Sequence, residues 1–158
     1  MTTIGCTGHQ NIPEEAITYV REAIRNELRR IDSLTLTGVC SLAEGADQLF
    51  AEAVLESGGK LDVIIPSSGY ESTFGSKGVA GYRRLLRRAS KRRVLDWPEP
   101  SEDAFLDAGQ HVADSSDVLI AIWDGRESRG KGGTADIVRY AQQKGKRTVV
   151  IWPDGVER

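Results

Sequence analysis

Short apolar runs alternate with amphipathic stretches along nearly the whole chain. Thr2 to Cys6 is the first run, and it stops at Gly5-Cys6-Thr7-Gly8-His9. Asn11, Pro13, Glu14 and Glu15 then open a helix, with a cap, a first-turn proline and acidic residues at its positive end. Ala16, Ile17, Val20, Ala23, Ile24, Leu28 and Ile31 form its buried stripe. Leu34 to Cys40 reads as a second strand. Ser41-Leu42-Ala43-Glu44 has the spacing of a capping box, predicting a helix through Leu55 that Gly58-Gly59 stops. Leu61 to Ile65 is a third strand, ended by Pro66.

The second half keeps the rhythm less evenly. Ser67 to Gly78 is a polar, Gly-rich loop, Val79 to about Ser90 a basic helix, and Arg93 to Trp97 a short strand of uncertain place in the sheet. Ser101 starts a helix through about Ala113. Asp117 to Trp123 is nearly all apolar, as in a strand covered on both faces. Thr134 to Lys144 is helical, Gly145 ends it, and Thr148 to Trp152 is the last strand. Strands alternating with helices predict an α/β Rossmann-like fold with a mainly parallel sheet and helices on both faces. The first strand is expected at the centre, with the second and third on one side and the fifth and sixth on the other. Nothing divides residues 1–158 into two domains.

In such sheets ligands bind beyond the carboxyl ends of the strands. The loops there are Gly5 to Gln10, Cys40 to Asp47, Pro66 to Phe74 and Asp124 to Thr134. Glycine is frequent, at 17 of 158 residues, and gathers at strand ends. Gly130-Lys131-Gly132-Gly133-Thr134 joins a buried strand to a helix, so its amides can converge on an anion with Lys131 adding charge. It approaches a P-loop, but Gly132 stands where Ser or Thr would hold magnesium. Gly5, Thr7 and Gly8 form a second candidate loop, and Ser41, Glu44, Gly45 and Asp47 a third. There Gly45 lets a neighbouring backbone approach. Glu44 and Asp47 share a helical face at its N-terminus.

Composition narrows the classes. Apolar residues make up 39% and charged residues 28% of the chain, and mean hydropathy is -0.35. No apolar run approaches the ~20 residues that span a bilayer. The first residues are strand-like rather than basic and then apolar, which argues against a signal peptide. Two cysteines make no disulfide scaffold and fit a reducing cytoplasm. Cys6, His9 and Cys40 lack a fourth zinc ligand, so buried strand cysteines are the better reading. His111 has no evident partner. Arg83, Arg84, Arg87, Arg88, Lys91, Arg92 and Arg93 concentrate seven positive charges, leaving -9 elsewhere in a chain of net charge -2. Such a run is usually a solvated face. Without stacking aromatics in the run, a nucleic-acid-binding role for 79–93 is the weakest alternative.

Ser41-x-Ala43-x-Gly45-Ala46-Asp47, with its Ala-rich helix, Gly-Gly stop and following strand, resembles the second-strand motif of DNA-processing protein A. It is also similar to other Rossmann-like proteins of the SLOG superfamily, which includes the lonely-guy phosphoribohydrolases. Thr7-Gly8-His9, Ser116-Asp117 and Gly132-Gly133-Thr134 fit the same pattern. The resemblance implies binding of a nucleotide or nucleotide derivative, and in some branches cleavage of an N-glycosidic bond. It allows a homodimer and names no cofactor or metal. The phosphoribohydrolases carry a catalytic Glu where this chain has Ile137, and Asp136 lies about 100° around the helix from it. Binding is therefore the leading expectation, in a sensor or signalling role. The alternative is hydrolysis of nucleoside monophosphates, with Asp47, Glu44 and Asp136 as candidate carboxylates and Asp47 ahead of Glu44. Helix N-termini are expected to lower their pKa values.

Overall fold

The computed structural model describes residues 1–127 and 133–158. Six strands form one sheet: β1 (Thr2–Gly8), β2 (Leu36–Cys40), β3 (Lys60–Ser67), β4 (Lys91–Trp97), β5 (Val118–Ile122) and β6 (Arg147–Ile151). Five α-helices connect them: α1 (Glu14–Leu28), α2 (Ala46–Glu56), α3 (Ser76–Leu86), α4 (Glu102–Ser115) and α5 (Thr134–Gln143). A short 3₁₀ turn, Tyr70–Thr73, precedes α3. The order is β4-β3-β2-β1-β5-β6 and every pairing is parallel. The strand order therefore turns back beside β1, where β1 lies between β2 and β5.

Period-two burial explains the layers. Ile4, Leu36, Leu61, Val63 and Ile120 pack with Val20, Ile24, Phe50 and Val54 on the face covered by α1, α2 and α3. Val39, Ile64, Leu95 and Leu119 pack with Ala108, Val112, Ile137 and Ala141 under α4 and α5. Small residues let the helices close on the strands. A Cβ at Gly5 would lie 2.0 Å from Ser116 Oγ, and one at Gly38 2.6 Å from Val54.

Two expected elements differ. The capping box does not form, because α2 starts at Ala46, after Gly45 at φ 81° and ψ -118°. A Cβ at Gly45 would meet the Gln10 carbonyl oxygen at 2.1 Å, so only glycine lets the β1–α1 loop cross here. The basic helix expected from Val79 to about Ser90 is shorter, and the positive run of 83–93 is split between a helix and a strand. Helix α3 ends at Leu86, and Lys91, Arg92 and Arg93 lie exposed on β4, the edge strand. Arg83 and Arg84 sit in the last turn of α3, where positive charge suits the helix dipole. Charged residues on β4 keep a bare sheet edge from pairing with another chain. Ser101 does cap α4, accepting from the Ala104 N–H at 3.0 Å.

Candidate functional site

A cavity of about 250 Å³ opens over the carboxyl ends of β1, β2 and β3. Thr7, Gly8, Ser41 and Asp47 supply much of its polar side, and Phe105, Ala108, Gly109, Val112 and Ile137 its apolar wall. Tyr70 and Thr73 close it from the 3₁₀ turn. Four of the sequence-predicted residues thus meet in one place.

Asp47 organises the β2–α2 loop. Its Oδ2 accepts from the Ser41 N–H at 3.1 Å and the Ala43 N–H at 3.3 Å. Between them Leu42 is fully buried at φ 57°, a left-handed conformation rare for a branched side chain. Asp47 itself is only 7% exposed. Burial pushes its carboxyl up to about 7, although the amides of Ala43 and Ser41 and the Cys6 thiol oppose that rise. The helix end was expected to lower this value. Desolvation outweighs it because no described Lys or Arg forms an ion pair with Asp47.

Other candidates are used elsewhere in the fold. Glu44 Oε1 accepts from the Gly75 N–H at 2.8 Å, tying the β2–α2 loop to the start of α3 instead of closing a capping box. Gly5 packs against Ser116 and Val112. Gly45 admits the chain's own Gln10 carbonyl. Asp136 does not line the cavity and pairs with Arg139 at 3.2 Å. Its neighbour Ile137 does line the cavity, as the helical rotation between adjacent positions requires. Gly133 precedes α5 and accepts at its carbonyl from the Asp136 and Ile137 amides. Thr134 is the buried first residue of α5; neither is part of the cavity wall. Lys131 and Gly132 lie outside the described residues.

Cys6 and Cys40 are free, buried thiols pushed well up, first by burial and then by the Asp47 charge. Among the described residues no group of three or more His, Cys, Asp and Glu could hold a metal ion. His9 turns away from the cysteines. Its Nε2 lies 3.2 Å from Asp124 Oδ1, and its Nδ1 lies 3.0 Å from an Arg158 nitrogen. Nε2 also receives the Asp124 backbone N–H at 3.1 Å, so both ring nitrogens are engaged by the chain itself. His111 also has a partner, Asp107, at 3.4 Å.

The aromatic wall is what sequence reading missed. Tyr70 meets Phe74 and Tyr82 edge-on, at 4.9 and 5.6 Å between ring centres, and Phe105 at 6.3 Å. The available signals were Tyr70 and Phe74 in an otherwise polar loop, and Phe105, Ala108, Gly109 and Val112 at helical spacing on α4.

No protein-family model and no curated protein matches the sequence. Solved structures do. DNA processing protein A from Streptococcus pneumoniae superimposes with a TM-score of 0.72 at 19% identity, over 99% of this chain and 52% of that one. The Helicobacter pylori protein of that name, described for its single-stranded DNA binding mode, gives 0.73 at 18% identity over 99% and 67%. The molybdenum cofactor carrier protein of Chlamydomonas reinhardtii gives 0.59 at 16% identity over 95% and 76%. The chain has the α/β Rossmann-like fold of these proteins. This chain spans about half of the S. pneumoniae protein. Identities this low establish the fold, and within it the cavity supplies the functional argument. No helix among the described residues is long and apolar enough to cross a membrane.

Proposed function

We propose that the chain binds a nucleotide or nucleotide derivative over the carboxyl ends of β1–β3, in a sensor or signalling role in the cytoplasm. The observation that carries this reading is the cavity itself. Its polar side comes from the loops after β1 and β2, and Ile137 stands in its wall where phosphoribohydrolases carry their catalytic Glu. An apolar residue there removes the expected carboxylate while leaving a surface that can pack against a ligand. The start of α5, with Gly133 and Thr134 one turn before Ile137, is the natural place for a phosphate; Lys131 and Gly132, the other sequence candidates for it, lie outside the described residues. Gly5 and Gly45 support the site by letting neighbouring elements close up. A thermal-shift screen across mononucleotides, NAD, ADP-ribose and oligonucleotides tests the reading, since a ligand that binds only the folded state raises its melting temperature. Stabilisation by small nucleotides supports it, and stabilisation by none overturns it. An oligonucleotide response with a steep salt dependence shifts the function to nucleic acid, the ligand class of the H. pylori neighbour.

One observation favours a hydrolytic second reading. Asp47 faces the cavity with its carboxyl pushed up to about 7, within the range of a general acid or base at neutral pH. In that reading Asp47 would act near the ribose C1′. Glu44 and Asp136 are weaker candidates because their carboxylates are engaged elsewhere. Free base released from AMP, GMP, CMP or UMP, and lost in Asp47→Asn, supports hydrolysis. Release unchanged in that variant removes Asp47 from the chemistry.

A further inference from the structure

Among the described residues lining the cavity, Asp47 is the only carboxylate and none is Lys, Arg or His. The amides of Ser41 and Ala43 both reach the same oxygen, Oδ2. A carboxylate offers about four acceptor positions over its two oxygens. The other described donor beside it is the Cys6 thiol, a weak one. Among the described residues this carboxylate has no counter-charge, and its two amide donors use one oxygen, which leaves Oδ1 acceptor capacity for a ligand. An anionic group would be repelled here, whereas a group carrying N–H donors would complete the arrangement.

The surroundings define the shape of that group. Tyr70 lines the same cavity as Asp47 and brings its ring contacts with Phe74 and Tyr82 to that side. Phe105 joins it in the lining, and Ala108 and Gly109 keep the adjoining surface of α4 low. Low apolar walls next to aromatic rings suit a flat heterocycle.

We propose that Asp47 selects a planar heterocycle presenting adjacent N–H donors, the 2-amino-4-oxo edge that guanine shares with pterins. This rests on the nucleotide-binding reading and names its ligand class. Guanine offers N1–H and a 2-amino group together. Hypoxanthine lacks the amino group, and adenine places a ring-nitrogen acceptor at N1. The titratable groups near Asp47 do not compete for the role: Cys6 on β1, Cys40 on β2 and Tyr70 on the 3₁₀ turn are all held protonated, and so neutral, by burial.

The experiment is calorimetric titration of the full chain with GMP, IMP, AMP and free pterin at pH 8, where Asp47 is ionised. GMP should bind roughly ten to a hundred times more tightly than IMP, as expected for a hydrogen bond to a charged acceptor. In Asp47→Asn the amide oxygen still accepts from Ser41 and Ala43, and the GMP-to-IMP ratio should fall towards one. Phe105→Ala should weaken GMP and IMP by the same factor and preserve the ratio. Lowering the pH to 6 should shrink the wild-type ratio, which keeps the test independent of whether a variant folds. Pterin binding tighter than GMP would support the edge and assign it to a free pterin. Equal binding of GMP and IMP by the wild type overturns the inference and leaves the nucleotide reading standing. Equal weakening of both by Asp47→Asn also overturns it, placing Asp47 on a ribose hydroxyl. If no nucleotide or pterin binds, the nucleotide reading falls and the inference falls with it.

Discussion

Two buried aspartates stand at the carboxyl ends of the central strands and meet opposite fates. Asp47, 7% exposed, faces the cavity beside β1 and β2 with its carboxyl raised by burial. Asp124, its side chain 4% exposed, follows β5 and is held below its ordinary value. Burial is the largest influence on Asp124 too and pushes it up. The Arg126 amide, His9 and Arg158 together outweigh that push. The difference is the company each carboxylate keeps. On one side of β1 the carboxylate has the chain's own His9 and Arg158 beside it, although its Oδ2 accepts no hydrogen bond; on the other no described cation faces Asp47. Desolvation alone therefore does not mark a site; desolvation without a partner does.

Breaking the side where Asp124 meets His9 and Arg158 should have the largest effect. Asp124→Ala leaves His9 and Arg158 facing each other without the carboxylate between them. Removing one member of a buried ion pair costs about 3–5 kcal/mol, a loss readable in urea unfolding at pH 7. A loss below about 1 kcal/mol would mean that Arg158 and solvent already screen the pair, and the contrast with Asp47 would weaken.

A glycine on each side gives the next comparison. Gly45→Ala combines a backbone conformation available essentially to glycine with a Cβ 2.1 Å from the Gln10 carbonyl. Gly125 also has a positive φ, of 85°, but nothing lies within 4 Å of its Cβ position. Gly45→Ala should cost about 3 kcal/mol through strain plus clash, and Gly125→Ala about 1 kcal/mol through strain alone. Equal losses in chemical denaturation would show that the β1–α1 loop can move off α2, and the cavity edge with it.

These positions also show what sequence can carry. The sheet was legible because apolar runs and amphipathic stripes are local, and the central place of β1 follows from them. The start of α2 was not. Ser41 and Glu44 have capping-box spacing, but Glu44 is drawn to the Gly75 amide, 31 residues away, and Gly45 must accommodate Gln10. For the same reason the basic run reads as helical to about Ser90 with a strand from Arg93, while pairing with β3 already claims Lys91 to Val94 for the sheet edge. Within the site, Thr7, Gly8, Ser41 and Asp47 were legible from their strand-end motifs. Tyr70 and Phe105 belong to separate elements whose meeting depends on how α4 crosses the sheet, and the rise in the Asp47 pKa depends on burial that only the folded chain creates.

Asp47 also provides a pH signature. Its folded value, about 7, lies above the ordinary 3.8, so the folded state holds its proton more tightly. That contribution is fully present below the unfolded value and is lost as pH rises through the folded one. The wild type should therefore lose stability between about pH 4 and pH 7 on the order of a few kcal/mol, at about 1.4 kcal/mol per pKa unit. Asp47→Asn should remove that component, which unfolding curves at pH 5 and pH 8 would show. A wild type and variant whose stabilities stay parallel across this range would mean that Asp47 is as well compensated as Asp124.

The smallest effect belongs to His9, and it runs the other way. Burial, then the Arg158 charge, lowers its pKa from 6.5 against the opposing pull of Asp124. A lowered histidine is held neutral in the folded state, and the unfolded chain binds the proton more readily. Its contribution is therefore complete above about pH 6.5 and is lost as pH falls through the unfolded value towards the folded one. His9→Gln retains an acceptor for Arg158 and a donor for Asp124 but no titrating ring. Relative to the wild type it should lose less stability between pH 7 and pH 5, by about 1 kcal/mol at most. The same substitution should leave the pH 5 to pH 8 contrast at Asp47 intact, because His9 points to the β5–β6 side and Asp47 to the cavity. If it abolished that contrast, the two carboxylates would form one coupled network across β1 rather than two sites with different partners.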